Sequence, residues 1–146
     1  VSRLALLGIA ALLVLAAAVV LPRLLGAIGV TDSPERAAEE WMQALLTIDS
    51  AKLAARTCGT LQKEVDDAGG WQAALGGESV RPQDIEVDLS DLTFTTLRRE
   101  GDTAVVSIHG VYRISILGVA DSGEADHTCR VVREGGRWRY CGEVFE

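Results

Sequence analysis

The sequence predicts an α+β fold: an N-terminal transmembrane helix, then about three helices packed on a strongly curved antiparallel sheet of four to five strands. Three observations predict it. A run of eighteen apolar or small residues, Leu4 to Leu21, opens the chain. Apolar residues then recur at helical spacing as far as Leu75. From Ile85 onward the period changes to two. The length of 146 residues fits one domain, and a hydrophobic share of 48% excludes long disorder. Charge separates two segments. Residues 1–30 carry Arg3, Arg23 and no acid, whereas residues 31–146 hold 12 basic and 21 acidic side chains. That excess of acid argues against a nucleic-acid partner, because neutralising phosphates takes Lys and Arg.

Residues 1–30 are expected to be a membrane anchor with its linker, and residues 31–146 the globular domain. At 1.5 Å rise per residue the run 4–21 reaches about 27 Å, enough for a thin or slightly tilted bilayer crossing. A cleaved signal peptide is the alternative, but its apolar core is usually about 7–15 residues and a small-x-small site follows it. Only Ala16-Ala17-Ala18 offers such a site, and it lies inside the run. One arginine flanks each side of the run, so the positive-inside rule is nearly silent. The cysteines orient the chain instead. Cys58, Cys129 and Cys141 all lie in the polar portion, and a disulfide there needs an oxidising compartment. The expectation is a single-pass plasma-membrane protein with its C-terminal domain outside the cytoplasm.

Thr31-Asp32-Ser33-Pro34 starts the first helix. Ser33 can cap free amides, and Pro34 suits the first helical position. Glu35, Glu39 and Glu40 favour the positive end of the helix dipole. Ala37, Trp41, Leu45 and Ile48 are expected to form its apolar stripe. Asp49-Ser50 caps a second helix whose small residues, Ala51, Ala54, Ala55 and Cys58, would let it sit close to a neighbour. A third helix runs from Thr60 to Ala68 with Leu61 and Val65 on one side. Gly69-Gly70 interrupts it, and Trp71, Ala74 and Leu75 resume it for one turn.

The strands follow. Ile85, Val87 and Leu89 alternate with acids, and Leu92, Phe94 and Thr96 alternate with Thr93 and Thr95. After a turn at Glu100-Gly101-Asp102, Ala104, Val106, Ile108, Gly110 and Tyr112 face one way. Val105, Ser107, His109, Val111 and Arg113 face the other. Both faces are partly apolar, so this strand is expected to be central. Residues 116–123 read as a loop or bulge, His127–Arg133 as a strand, Glu134-Gly135-Gly136-Arg137 as a hairpin turn and Trp138–Val144 as the closing strand. Gly110 and Gly118 would supply the bends that a curved sheet requires.

In this order the segments EEWMQALLTIDSAKLAARTC, EGDTAVVSIHGVYRI and VVREGGRWRYC resemble the nuclear transport factor 2-like superfamily over roughly residues 33–143. The likeness is to its membrane-anchored, extracytoplasmic bacterial members, such as membrane proteins associated with mammalian-cell-entry transport operons and lipoprotein-like families. It implies a cone of helices against a bent sheet. The function it implies is a non-catalytic assembly or accessory module of a cell-envelope complex. The alternatives are a module binding a small apolar ligand (a lipid or sterol) and an isomerase or dehydratase-like enzyme. An envelope protein is the expected partner, with the membrane held through residues 4–21 and a homodimer through the sheet as a further option.

Cys129 and Cys141 lie symmetrically about Gly135. A hairpin loop of three or five residues would set them opposite each other, and a two-residue loop would set Cys141 opposite Arg130. The resemblance favours Cys58 with Cys141, with Cys129–Cys141 as the alternative. No cysteine spacing matches a metal site, no nucleophile elbow or phosphate loop is present, and no cofactor or catalytic residue is expected. Trp41, Trp71, Phe94, His109, Tyr112 and Trp138 are the candidate pocket residues. Trp41 and Trp138 are expected to meet in the core, and Trp71 to rim the cone mouth. His109 and Tyr112 fall on opposite strand faces by parity, so at most one points inward. Arg130, Arg133, Arg137 and Arg139 form a candidate docking patch for an acidic partner or lipid headgroups.

Overall fold

The computed structural model describes residues 32–75 and 82–145. The expected anchor at 4–21 lies outside them, as do Gly76 and Gly77. No described helix is long and apolar enough to cross a membrane. The described residues belong almost entirely to one compact unit beginning at Ser33.

Four helices among the described residues lead into the sheet: α1 (Pro34–Leu46), α2 (Ser50–Arg56), α3 (Gly59–Asp67) and the single turn α4 (Trp71–Ala74). Ser33 caps α1 by accepting the Arg36 N–H, and Asp49 caps α2 by accepting the Lys52 N–H. These side chains satisfy amides that have no partner inside the helix. The α1 stripe is rotated from the expected one. Its buried residues are Pro34, Ala37, Ala38, Met42 and Ala44, while Trp41 and Leu45 flank them half-buried. Ile48 lies beyond the helix with φ 56°. Small alanines let α1 lie close to the sheet, where it touches all five strands. Of the small residues expected to pack at α2, only Cys58, just past its end, is buried: Ala51, Ala54 and Ala55 are exposed, and Leu53 and Arg56 are buried instead. Its close contact with the rest of the domain is therefore made by the large side chains.

A short 3₁₀ turn at Pro82–Asp84 leads to β1 (Ile85–Asp88), β2 (Leu92–Glu100), β3 (Thr103–Ile116), β4 (Val119–Glu134) and β5 (Arg137–Glu143). The antiparallel sheet curls strongly into a half-barrel. β3 is its centre, with β1 and β2 in succession along one edge and β4 along the other, followed by β5. The break between β1 and β2 passes over Gly110. A Cβ there would lie 2.2 Å from the Asp91 carbonyl oxygen, and φ is 133°, so this glycine admits both the bend and the close approach.

The expected loop at 116–123 is instead the head of a long hairpin. Leu117 and Gly118 both have positive φ, 51° and 82°, and form its two-residue turn. Strand pairing then runs without a break from Ile116↔Val119 to Thr103↔Val132. β4 thus begins at Val119 rather than His127, and Gly118 turns the chain rather than bending the sheet. The sequence Asp-Ser-Gly-Glu at 121–124 has low strand preference, and pairing with β3 overrides it. Gly135 and Gly136 make the second two-residue turn. The core groups Val106, Ile108, Val131 and Trp138 from the inner sheet face with Ala37, Ala38 and Met42 of α1.

Candidate functional site

The two ends of the sheet differ, and the α2–β5 seam defines the first. After α2 the chain runs beside β5, where Thr57 bridges Tyr140 in parallel and the Cys58 N–H donates to the Tyr140 carbonyl at 2.9 Å. Cys58 and Cys141 form a disulfide with a Cα–Cα distance of 5.2 Å. Cys129 is free and buried, so the alternative Cys129–Cys141 pair does not form. The turn at 135–136 has two residues, which carries the register as far as Val131↔Tyr140, and an irregularity between Val131 and Cys129 then sets Cys129 against Glu143 rather than Cys141. Gly142 carries the accompanying positive φ of 104°. Burial pushes the Cys129 thiol up to about 12.

Arg56 is 5% exposed and closes this seam. Its Nε donates to Glu40 at 2.6 Å and its Nη1 to the Trp138 carbonyl at 3.0 Å. Burial of Glu40 would raise its pKa, but hydrogen bonds and charge from Arg36 and Arg56 outweigh this and hold it low. The buried Thr57 hydroxyl donates to the Leu53 carbonyl and accepts the Trp41 indole N–H at 3.0 Å. Trp41 is thereby oriented to stack on Tyr140, with centroids 3.6 Å apart and planes 9° from parallel. A polar groove of about 710 Å³ lies beside the seam, lined by Glu40, Thr47, Asp49, Lys52, Arg56 and Arg137 among others.

The other end is open. A cavity of about 400 Å³ lies between the C-terminal half of α1 and the part of β4 that β5 does not reach. Trp41, Met42 and Leu46 wall it from α1, with Tyr112 from β3 and Tyr140 from β5. Leu45, Glu124, Ala125, Asp126, His127 and Glu143 complete its lining, with no described Lys or Arg among them. The Tyr112 ring lies over Gly123, where a Cβ would come within 2.4 Å of it.

The structure distributes the candidate pocket residues. Trp41 and Tyr112 line the open cavity. Trp71 meets Trp41 edge-on at 6.4 Å and donates to Gln62. Phe94 is half-buried against the core, and Trp138 is inside it at 2% exposure, under the guanidinium groups of Arg99 and Arg133. Trp41 and Trp138 share this core, although the ring stacked on Trp41 is Tyr140. His109 projects on the outer sheet face, 73% exposed, 3.5 Å from Asp126. Strand parity explains this: the inner positions of β3 are 104, 106, 108, 110 and 112.

The arginines do not make one patch. Arg133 pairs across the strands with Trp138 and donates to Asp102 at 2.7 Å. Arg139 lies on the opposite face and donates to the Ala55 carbonyl. Arg137 lines the polar groove, and Arg130 is exposed on the outer face. Sequence reasoning missed Tyr140, Arg56, Glu124 and Glu143. Tyr140 had a readable signal, since it shares strand parity with Trp138. No group of three or more His, Cys, Asp or Glu able to hold a metal ion occurs among the described residues. No protein-family model matches the chain, and no curated protein matches it.

Proposed function

We propose that this chain is a non-catalytic, single-pass membrane protein held by residues 4–21. Its extracytoplasmic domain, of the nuclear transport factor 2-like kind, serves as an assembly or accessory module of a cell-envelope complex. The observation that carries this reading is the packed centre of the half-barrel, apart from the cavity of about 400 Å³ at its open end. Trp138, Phe94 and Trp41 pack with the α1 alanines between the helix and the sheet, a core with no room for a ligand at its centre. The Cys58–Cys141 disulfide supports the compartment, because such a bond persists where thiols are not kept reduced. Among the described carboxyl groups, those with shifted pKa (Glu35, Glu40 and Asp88) are all held low. A general acid at neutral pH needs the opposite shift.

The test is purification of the tagged full-length chain from membranes in a non-ionic detergent. Recovery of one defined transport or secretion assembly in fixed stoichiometry is expected. Recovery of the monomer with lipid as its only companion overturns the reading.

A further inference from the structure

β4 is paired with β3 from Val119 to Val132, but with β5 only from Cys129 to Glu134. The last bond on the β5 side is Val144 N–H to the Thr128 carbonyl at 2.8 Å. Main-chain groups of a strand alternate sides, so those of Asp126 and Glu124 point the same way as those of Thr128. No described strand lies beside them. Further along, the Asp121 carboxylate accepts the Ser122 N–H at 2.8 Å and blunts the edge there. Among the described residues the stretch Glu124–His127 is left as an open edge next to the 400 Å³ cavity.

Both faces of this edge have a definite chemistry. On the inner face stand Gly123 under the Tyr112 ring, the buried Ala125 and the half-buried His127, and the small Ala125 leaves room against Trp41, Met42, Leu46 and Tyr140. On the outer face stand the exposed side chains of Glu124 and Asp126. Glu143 adds a carboxylate at the cavity wall, and Glu124 and Glu143 make no ion pair among the described residues. Tyr140 is 4% exposed, and no hydrogen bond holds its hydroxyl among the described residues.

We propose that the free edge of β4 at Glu124–His127 is a strand-addition site for an extended segment of a partner protein in which Lys or Arg alternates with apolar side chains. Its main chain bonds to the open N–H and C=O groups of Glu124 and Asp126. Its apolar side chains enter the cavity between α1 and the sheet. Its basic side chains fall on the outer face, where opposite charges pair across strands with Glu124 and Asp126. The inference deepens the assembly reading and rests on it for the partner's identity as a protein, while its chemistry is tested separately.

The experiment uses the full-length chain in maltoside detergent and three synthetic peptides: alternating Lys-Leu, alternating Glu-Leu, and the Lys-Leu peptide with N-methylated amides. Saturable binding of the first alone is expected. N-methylation removes donors but keeps charge, and weakens binding by about tenfold. Amides of Glu124 and Asp126 become protected from hydrogen exchange when peptide is bound. Glu124→Lys weakens binding roughly fivefold through charge. Asp126→Pro weakens it by removing an edge N–H, a change tolerated where no ladder bond is lost. Glu64→Lys, the same charge change on α3, leaves binding unaltered. Equal binding of the N-methylated peptide, unchanged exchange at residues 124 and 126, or no saturable binding overturns the proposal. An envelope complex that survives both Glu124→Lys and Asp126→Pro overturns it while leaving the assembly reading intact.

Discussion

The two long edges of β4 illustrate how one strand can be structural at one end and interactive at the other. Towards Glu134 it lies between β3 and β5, and behind β5 stand α2, the Cys58–Cys141 bond and the buried Arg56. The disulfide, the buried guanidinium and the stack of Trp41 on Tyr140 converge there. Towards Val119 the same strand has one neighbour among the described strands, its side chains are mostly exposed acids and small residues, and a cavity opens beside it. The seam uses covalent, buried-charge and aromatic contacts. The open end has spare main-chain groups and unpaired negative charge. Stability and recognition are thereby separated along the sheet.

That contrast predicts a gradient of mutational effects. The largest belongs to the disulfide. It closes a loop with a sequence separation of 83, and chain-entropy arithmetic gives about 4.5 kcal/mol for a loop of this size. Cys58→Ser with Cys141→Ser, compared with wild type in denaturant titrations, is expected to lower stability by that order. A loss below about 1 kcal/mol would show that the seam is held by its other contacts. Next comes Trp138→Ala, which empties a site at 2% exposure and should cost about 3–5 kcal/mol in the same measurement.

Arg56→Met comes third, at about 1–3 kcal/mol, from a lost bond to the Trp138 carbonyl and a weakened partner for Glu40. Its effect should depend on pH. The Glu40 pKa is held below its ordinary 4.5, so its contribution is present above that value and is lost as pH falls through the folded pKa. The stability difference between Arg56→Met and wild type should therefore shrink in acid, and a difference constant with pH would break the assigned coupling. Smallest is Glu124→Lys at the open end, within about 0.5 kcal/mol by thermal unfolding, because the side chain is exposed. A larger loss there would erase the contrast between the ends. Thiol alkylation gives a qualitative check: the buried Cys129, its thiol pushed up to about 12, should resist reagent until the protein unfolds.

Much of the architecture was legible in local signals. Ser33 and Asp49 cap their helices as their types and positions predict, and Gly69-Gly70 and Gly135-Gly136 break the chain where expected. The alternation through 104–112 placed His109 and Tyr112 on opposite faces of a central strand. The open end was not legible. Residues 119–126 have the composition of a loop, and only the length of β3 beside them makes them a strand. Tyr140 and Glu143 come from β5, Glu124 and Asp126 from β4, and the rest of the cavity wall from α1 and β3, so no spacing in the chain brings them together.

The sequence by itself determined the element order, the caps, the turns and the facing of β3, because each depends on a few neighbouring residues and on the period of burial. The tertiary structure alone decided which thiol stays free, which arginine is buried, how α1 is rotated and where β4 runs without a neighbour. Those outcomes depend on how far one strand extends past another, a quantity set by packing across the whole domain.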